Sequence, residues 1–460
     1  MLISNRGRTI WSDSPFKFSV DGQGIHIDSR YEKVGVKQQG TTLRDAYRAL
    51  MQQHFPAEGA LPDTLFFSHP QYNTWIELMY NQNQHDILTY ARHLLDNGLP
   101  PGILMIDDNW QRYYGNFDFK CERFPNPRAM VDSLHRQGFK VMLWISPFVT
   151  ADSPEYRALA KQGLLLRDAT GNPAIIHWWN GQSACFDLTN PAALDYLEHT
   201  LRGMMHDYAI DGFKFDGGDN IYYDRADLRP YRKDARSVDQ TKGWAELGCR
   251  FAFNEYRACW QMGNRALVQR LGDKDYSWKA VQQLVPDMIA AGLVGYGYAC
   301  PDMIGGGSFA SFLDIDADKF DQALIVRSAQ VHALMPMMQF SVAPWRILSA
   351  ENMKIIRAMA QLHVQKSPYI LACARETART GEPIVRSLEY EFPHQGYEKV
   401  HDQFMLGSRL MVAPMTTPGT SRTILLPPGR WRDDQGRVFR GRRTIQQQVP
   451  LWRLPYFERL

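Results

Sequence analysis

Short apolar segments alternate with helical segments through most of this chain, and this alternation limits the fold more than any other feature. Strand-like segments are predicted at 69–75, 102–107, 139–145, 212–216, 266–271 and 293–298. Helices are predicted at 82–97, 127–137, 191–208, 244–260, 277–291 and 318–334. Strands that alternate with helices of this length form a parallel sheet with right-handed crossovers. Because 64–372 holds roughly eight such units, we predict an α/β fold, a closed (β/α)8 TIM barrel.

The two ends of the chain have a different character. After about residue 380 the helical periodicity disappears, and short strands such as 423–426 are separated by Pro-Gly turns, which predicts a C-terminal antiparallel β-sandwich. Residues 1–25 contain short alternating strands. We therefore divide the chain into an N-terminal segment, 1–62, made of a remnant of a β-domain and a connector; a barrel, 63–375; and a C-terminal β-sandwich, 376–460.

Composition narrows the classes of function. The chain has 460 residues, 22% of them charged, and a formal charge of +3, so nothing in it indicates a nucleic-acid partner. The six cysteines show neither a Cys-x-x-Cys pair nor a histidine at zinc spacing. No apolar run reaches membrane-spanning length, and the first residues lack the apolar core of a signal peptide. These features predict a cytoplasmic protein, unless a leader lies upstream.

The stretch 210–220 is the clearest candidate for a functional site. It reads Ile-Asp-Gly-Phe-Lys-Phe-Asp-Gly-Gly-Asp-Asn, so a strand pattern ends in Asp216 and then enters two glycines. A (β/α)8 barrel carries its chemistry at the C-terminal ends of its strands, which makes Asp216 a candidate catalytic residue. The alternative is a surface turn closed by Asp and Gly, which is common.

Further acids follow other predicted strands. Asp107 and Asp108 end one strand, Asp302 follows another, and Asp273 lies between a strand and a helix. Several acids together with 12 Trp and no His/Cys metal set favour glycoside hydrolysis, which needs one ionised and one protonated carboxyl. Acids alone would also serve a Mg²⁺ site in a lyase or phosphatase, although no glycine-rich phosphate loop accompanies them. Spacing alone leaves both interpretations open.

Five ordered motifs together carry a resemblance to a known family. They are the segments 178–191, 211–216, 272–278, 292–305 and 401–431. The first reads Trp-Trp-Asn-Gly-Gln-Ser-Ala-Cys-Phe-Asp-Leu-Thr-Asn-Pro, and the second Asp-Gly-Phe-Lys-Phe-Asp. In their order and spacing, from about residue 65 to the C-terminus, these motifs resemble glycoside hydrolase family 31.

This resemblance implies a retaining α-glycosidase that needs no cofactor and no metal. Asp216 matches the nucleophile and Asp273 the general acid/base, and a retaining pair should stand about 5–5.5 Å apart. Lys214 lies two residues before Asp216 on the same strand face, so its cation should keep that carboxylate ionised. Asp275 should favour a proton on Asp273, and it is also the rival for the acid role.

The resemblance also implies residues that line the sugar site. Arg257 precedes Asp273 by sixteen residues and matches a family arginine of that site; the alternative is a solvated arginine on a helix. The candidate sugar-binding residues are Asp107, Asp108, Trp110, Trp144, Trp179, Lys214, Arg257 and Asp302. For each tryptophan, and for Trp178, packing in the core is the alternative.

Asp107 and Asp108, together with Lys214, also resemble the acid pair and the lysine of α-galactosidases in a related barrel clan. There the acids accept hydrogen bonds from two sugar hydroxyls, and charge-assisted bonds of this kind select one epimer. The Arg-x-His segment of the family's α-glucosidases is replaced here by Gln-Phe-Ser at 339–341. The sequence therefore predicts an exo-acting α-galactosidase, with α-xylosidase or α-glucosidase as alternatives.

A second departure from the family concerns the N-terminus. Family members usually open with a large β-sandwich that covers part of the site, whereas only a remnant of it, about residues 1–25, is expected here. The sequence therefore also leaves open a sugar-binding protein without catalytic activity. The expected partner is a glycoside or oligosaccharide, with no nucleic acid and no membrane, and a homo-oligomer is left open.

Overall fold

The computed structural model describes residues 1–29, 32–313 and 320–460. At its centre, eight parallel strands pair in chain order. They are β1 (Gln71–Asn73), β2 (Ile103–Ile106), β3 (Lys140–Ile145), β4 (Gly212–Phe215), β5 (Phe253–Tyr256), β6 (Val268–Arg270), β7 (Ala299–Cys300) and β8 (Gln339–Phe340). β8 pairs with β1, and a bridge from Met303, after β7, to Gln339 brings the sheet ends together. The predicted TIM barrel is confirmed.

Helices surround the barrel. The longer ones are α1 (Leu43–His54), α2 (Gln84–Asp96), α3 (Pro127–Arg136), α4 (Pro154–Gln162), α5 (Pro191–Tyr208), α6 (Ser237–Gly248), α7 (Trp278–Leu293), α8 (Gln322–Ala333) and α9 (Ala350–Thr380). Short helical turns lie at Leu65–Ser68, Trp75–Leu78, Asn220–Tyr222, Phe309–Phe312, Pro344–Ile347 and Leu388–Glu391. The predicted helix at 318–334 corresponds to α8, and its positions 318 and 319 lie outside the described residues.

Local sequence signals set several helix starts. Asn190 accepts a hydrogen bond from the backbone N–H of Ala192, and Pro191 occupies the first turn of α5. Thr42 and Asp45 form a reciprocal capping box at the start of α1. These side chains satisfy amide groups that have no partner inside a helix, so these boundaries are encoded locally.

Two predicted elements, the helix at 244–260 and the strand at 293–298, are wrong. The helix predicted at 244–260 ends at Gly248, and the segment Phe253–Tyr256 is the barrel strand β5. All four residues of β5 are buried, and a strand buried on both faces lacks the alternation that identifies a half-exposed strand. The strand predicted at 293–298 begins later, at Ala299, because α7 runs through Leu293.

The connection between β5 and β6 contains no helix, and the N-terminal segment packs there instead. The side-chain amide of Asn264, in this connection, donates to the carbonyl of Phe55 at 2.7 Å. Gly263 and Gly295 lie directly against this segment: a Cβ atom would meet the Phe55 ring at 2.9 Å at the first position and Met51 Sδ at 3.1 Å at the second. The N-terminal segment therefore covers the part of the barrel that lacks its own crossover helix.

Small antiparallel sheets flank the barrel. In the N-terminal segment they are Leu2–Ile3, Arg8–Ile10 and Val36–Gln38, and the hairpin Phe16–Asp21 with Gly24–Ser29. In the β3–α5 connection they are Phe148–Thr150, Gly181–Cys185 and Ile176–Trp178, and Arg167–Asp168 pairs with Leu228–Arg229. The β3–α5 sheet carries Trp179 and Asn180 in its turn, which brings both residues to the rim of the barrel.

The C-terminal region is an antiparallel β-domain, as predicted. Its six-stranded sheet has the order Val385–Arg386, Phe404–Leu406, Leu410–Val412, Tyr456–Arg459, Arg430–Asp433, Val438–Arg440, and Ser421–Leu426 pairs separately with Arg443–Gln448. Arg327 of α8 is buried and donates to the carbonyls of Val449 (2.7 Å) and Arg453 (3.2 Å). This arginine thereby docks the β-domain on the barrel. Over the described ranges, no helix is both long and apolar enough to cross a membrane.

The packing of α1 generates a stability prediction. Leu50 is 2% exposed in a cluster with Tyr47, Met51 and Tyr390. Leu50→Ala should lower the free energy of unfolding by about 2–5 kcal/mol, because it leaves a cavity between α1 and the rest of the molecule. Urea unfolding followed by tryptophan fluorescence would measure the loss.

Gln52, on the exposed side of the same helix, provides the control. Gln52→Ala should change the free energy of unfolding by less than about 0.5 kcal/mol. Equal midpoints for the two variants would show that α1 is not part of the cooperative core.

Candidate active site

A cavity of about 340 Å³ opens at the C-terminal ends of the barrel strands. It is lined by Trp75, Tyr80, Asp107, Asp108, Trp144, Trp179, Lys214, Asp216, Arg257, Arg270, Asp273 and Phe309. These residues come from the ends of seven strands, β1 to β7, and from the connections that follow them. The acids that the sequence placed after separate strands therefore meet in one cavity, with the exception of Asp302.

Asp216 follows β4 directly and is held by two neutral donors. Its Oδ2 accepts a hydrogen bond from the indole N–H of Trp144 at 2.7 Å, and its Oδ1 accepts one from the backbone N–H of Gly217 at 2.8 Å. Gly217 and Gly218 have φ values of 65° and 72°, which glycine adopts readily. The glycine pair thus turns the chain so that an amide points at the carboxylate.

Lys214 lies beneath this carboxylate, on the same face of β4. Its Nζ donates to Asp107 Oδ2 at 2.7 Å and stands 3.9 Å from Asp216 Oδ2. Burial by itself lowers the pKa of Lys214, but the two carboxylates outweigh it and the pKa is raised. A permanent cation therefore joins the ends of β2 and β4.

Asp108 forms the opposite wall of the cavity. It accepts hydrogen bonds from Asn180 Nδ2 at 2.7 Å and from the hydroxyl of Tyr114 at 3.1 Å. Asn180 is fixed in turn because its Oδ1 accepts a hydrogen bond from the hydroxyl of Tyr80 at 2.9 Å. Burial, and next the neighbouring Asp107, raise the pKa of Asp108 to about 7. Its charge therefore changes near neutral pH.

Asp273 follows β6 and is bound to a cation. Arg270 Nη1 donates to its Oδ1 at 2.7 Å, while 37% of the Asp273 side chain stays exposed. Desolvation raises the pKa of Asp273, but Arg270, Lys214 and Arg257 outweigh it, so that the pKa lies below its usual value. This corrects the expectation that Asp275 would favour a proton on Asp273. Asp275 lines a neighbouring groove instead of the cavity.

Arg257 reaches the cavity from the end of β5. Its Nε lies 3.1 Å from Asp219 Oδ2 and 3.9 Å from Asp216 Oδ1. Its guanidinium carbon stands 4.9 Å from the centre of the Trp179 ring, a distance at which a cation is attracted to the aromatic face. The alternative of a solvated helix arginine is wrong, because Arg257 follows a barrel strand and lines the cavity.

The predicted tryptophans separate into two groups. Trp144 and Trp179 line the cavity, and Trp179 is 42% exposed. Trp110 is fully buried: its indole N–H donates to the carbonyl of Trp144 at 2.7 Å and its ring packs on Phe119. Trp178 is also buried and stacks on Phe148. The expectation that Trp110 contacts the sugar is therefore corrected: its ring does not line the cavity, and its indole N–H holds the backbone of Trp144.

Asp302 lies behind the cavity wall and is completely buried. Its carboxylate accepts hydrogen bonds from Arg270 Nη1 at 3.0 Å and from the backbone N–H groups of Lys274 (2.8 Å) and Gly307 (3.1 Å). These contacts occupy both oxygens, so Asp302 anchors the surrounding loops. This placement corrects its expected role as a residue that contacts the sugar.

Four lining residues were not predicted from the sequence: Trp75, Tyr80, Arg270 and Phe309. Trp75 and Phe309 pack edge to face with ring centres 5.6 Å apart. A signal existed for Trp75, which follows β1 as Asp107 follows β2. A period-two pattern on β6 also places Arg270 on the same face as the buried Val268. Phe309 lies well beyond the end of β7, and no pattern in the sequence marked it.

The chemistry available here comes from two carboxyl groups in different surroundings. Asp216 contacts an indole N–H and a backbone amide, whereas Asp273 contacts a guanidinium and is more exposed. Two carboxyl groups with different environments on one cavity are the requirement for acid–base and nucleophilic chemistry on a glycoside. In the described ranges, no group of three or more His, Cys, Asp or Glu side chains is placed to hold a metal ion.

Comparison with known proteins adds relatives to this geometry. The chain is 32% identical over 410 residues to the myogenesis-regulating glycosidase of Mus musculus, an alignment that covers 87% of this chain and 57% of the relative. It is 24% identical to an alpha-xylosidase of Emericella nidulans over 95% of this chain and 56% of the relative. The chain therefore spans little more than half the length of these curated relatives.

Solved structures support the fold. A dextranase of Flavobacterium johnsoniae complexed with glucose superposes with a TM-score of 0.82 at 21% identity, covering 96% of this chain and 57% of that one. A cycloalternan-degrading enzyme of Trueperella pyogenes gives a TM-score of 0.83 at 22% identity, covering 100% and 73%. At these identities the likeness shows a shared architecture alone.

Two family models match most of the chain. The model of the glycosyl hydrolases family 31 TIM-barrel domain matches residues 60–373, and that of the family's C-terminal domain matches residues 381–460. Together with the barrel and the carboxyl groups at its strand ends, these matches show that the chain belongs to glycosyl hydrolase family 31.

Proposed function

We propose that this protein is a retaining exo-α-glycosidase that releases terminal α-linked galactose. The observation that carries the proposal is the convergence of Asp216 and Asp273 on one cavity whose other wall is formed by Asp107 and Asp108. One pair supplies the chemistry, and the other supplies acceptors for sugar hydroxyls.

The reaction has two steps. In the first, Asp216 Oδ attacks the anomeric carbon, the glycosidic C–O bond breaks, and Asp273 gives its proton to the leaving oxygen. In the second, Asp273 takes a proton from water, the water oxygen bonds to the anomeric carbon, and the bond to Asp216 breaks. Trp144 and Gly217 support this role because their N–H groups fix the Asp216 carboxylate on the cavity wall.

The preference for galactose rests on Asp108. Asp107 is engaged by Lys214, whereas Asp108 is fixed by Tyr114 and Asn180. A carboxylate that is held in this way and faces the cavity accepts strong hydrogen bonds from sugar hydroxyls. It selects among epimers because their hydroxyls point in different directions.

An α-xyloside is the second candidate substrate, since relatives of this chain include proteins named alpha-xylosidase. Xylose lacks the exocyclic hydroxymethyl group. A carboxylate oxygen of the Asp107–Asp108 wall would then have no hydroxyl donor, and an unpaired buried acceptor lowers the affinity for that sugar. A sugar-binding protein without turnover is the alternative from another functional class.

The first test is a panel of p-nitrophenyl α- and β-glycosides. The α-galactoside should be hydrolysed in preference to the α-glucoside, the α-xyloside and the β-anomers. Asp216→Ala should lower kcat by more than about 10⁴-fold because the nucleophile is lost, and azide should restore turnover with an inverted product.

Asp207→Ala, at an exposed position outside the cavity, serves as the control and should keep full activity. Preferential hydrolysis of the α-xyloside would contradict galactose as the substrate and support an α-xyloside instead. Binding of galactose without any turnover would instead identify a sugar-binding protein.

The role of Asp273 is tested by leaving-group dependence. Asp273→Ala should lower kcat/KM for methyl α-galactoside by about 10²–10⁴-fold, since a methoxide leaving group needs a proton. The p-nitrophenyl substrate should lose far less in the same step. Asp275→Ala is the matched control, and a stronger effect of that variant would transfer the acid role to Asp275.

Binding of galactose should depend on pH through Asp108. Below about pH 7 its carboxyl holds a proton and has lost acceptor capacity, so affinity should fall by up to about tenfold per pH unit as the pH is lowered. Titration calorimetry with free galactose would measure the inflection.

Two variants locate this inflection. Asp108→Asn should bind galactose weakly, and its affinity should show no inflection with pH. Asn180→Ala, which removes a donor to Asp108, should move the inflection to higher pH. An unchanged inflection in Asp108→Asn would assign it to another group.

A further inference from the structure

Arg270 lies between two carboxylates that have different surroundings. Its Nη1 donates to Asp273 Oδ1 at 2.7 Å and to Asp302 Oδ1 at 3.0 Å, and its Nε stands 3.7 Å from Glu255 Oε1. The Arg270 side chain is 5% exposed. Burial by itself lowers the pKa of Arg270, but its acidic neighbours, Asp273 first, outweigh this and raise it. Arg270 is therefore a permanent cation with a fixed orientation.

The contact is backed by the loop that follows β7. Gly307 lies against both acids: a Cβ atom at this position would stand 2.6 Å from Asp273 Oδ1 and 2.8 Å from Asp302 Oδ1. The backbone N–H of Gly307 also donates to Asp302 Oδ2 at 3.1 Å. The absence of a side chain at Gly307 therefore leaves the room in which Asp273 reaches Arg270.

We propose that Arg270 is a positioning residue that holds Asp273 in its ionised form, the form that acts as a base in the second step. This inference rests on the proposed function. The acid form needed in the first step then requires that Asp273 take up a proton against this contact. Arg270 thereby limits the pH range in which substrates with poor leaving groups are cleaved.

Charged groups from every neighbouring strand end face Asp273. Lys214 approaches from β4, Arg257 from the end of β5 and Arg270 from β6, while Asp302 follows β7. Of the three cations, Arg270 donates the hydrogen bond to Asp273. Desolvation raises the pKa of Asp273, and Arg270 is the largest of the influences that bring it below its usual value.

The test compares two substrates across pH. With methyl α-galactoside at saturating concentration, kcat should fall as the pH rises through the pKa of Asp273, because the acid form is lost, whereas the change in affinity at Asp108 acts on KM. Arg270→Met should move this falling limb to higher pH by about one to three units, the usual effect of removing an adjacent opposite charge. Arg270→Lys, which keeps a cation, should move it less.

The p-nitrophenyl α-galactoside separates this effect from a structural one. Its first step needs little protonation, so kcat/KM should stay close to that of the wild type in Arg270→Met. For this substrate the second step limits kcat, and that step needs the base form of Asp273. In Arg270→Met the base form is lost at a higher pH than in the wild type, so kcat should fall at acid pH. A merely structural defect would lower both parameters for both substrates.

Two further variants complete the design. Gly307→Ala should displace Asp273 from Arg270 without removing any charge, and it should move the limb in the same direction as Arg270→Met. Arg265→Met, which removes an arginine paired with Glu58 outside the cavity, should leave both profiles unchanged.

An active wild type with an unmoved limb in Arg270→Met and Gly307→Ala would overturn this inference alone. A wild type that hydrolyses neither substrate would overturn the proposed function and this inference with it.

Discussion

The cavity of this protein depends on one buried ion, the ammonium group of Lys214. It is 3% exposed and lies between Asp107, at 2.7 Å, and Asp216, at 3.9 Å. An isolated charge at such a place would cost several kcal/mol, and a paired charge is tolerated only where the geometry is good. The three groups therefore require one another, and their contacts fix the ends of β2 and β4 in the position that the cavity needs.

A second ionic cluster, around Arg270, fixes the next three strand ends along the same cavity. It joins Glu255 on β5 to Asp273 and Asp302, which follow β6 and β7. The proposed catalytic carboxyls have different hydrogen-bond donors: Asp216 accepts from neutral N–H groups, with Lys214 at 3.9 Å, and Asp273 accepts from the Arg270 cation. Different environments are what allow two identical side chains to take different roles.

The barrel departs from a regular alternation of strands and helices. The β5–β6 connection contains no helix of its own, and α1 with Phe55 packs there against Gly263 and Gly295. The N-terminal segment is thus part of the same packed unit as the strands that carry Arg257 and Arg270. The sequence pattern hid this arrangement, because β5 is buried on both faces and lacks the alternation by which a half-exposed strand is recognised.

The sequence by itself determined the alternation of strands and helices, the acids at strand ends and the family, because periodicity and motifs are properties of neighbouring residues. It did not separate Trp179, which lines the cavity, from Trp110, whose indole N–H holds the backbone of Trp144. It also missed the contact between Arg270 and Asp273 and placed the wrong charge beside that acid. Only the tertiary structure decided these points, because the direction and the partner of a side chain depend on how distant strands close into the barrel.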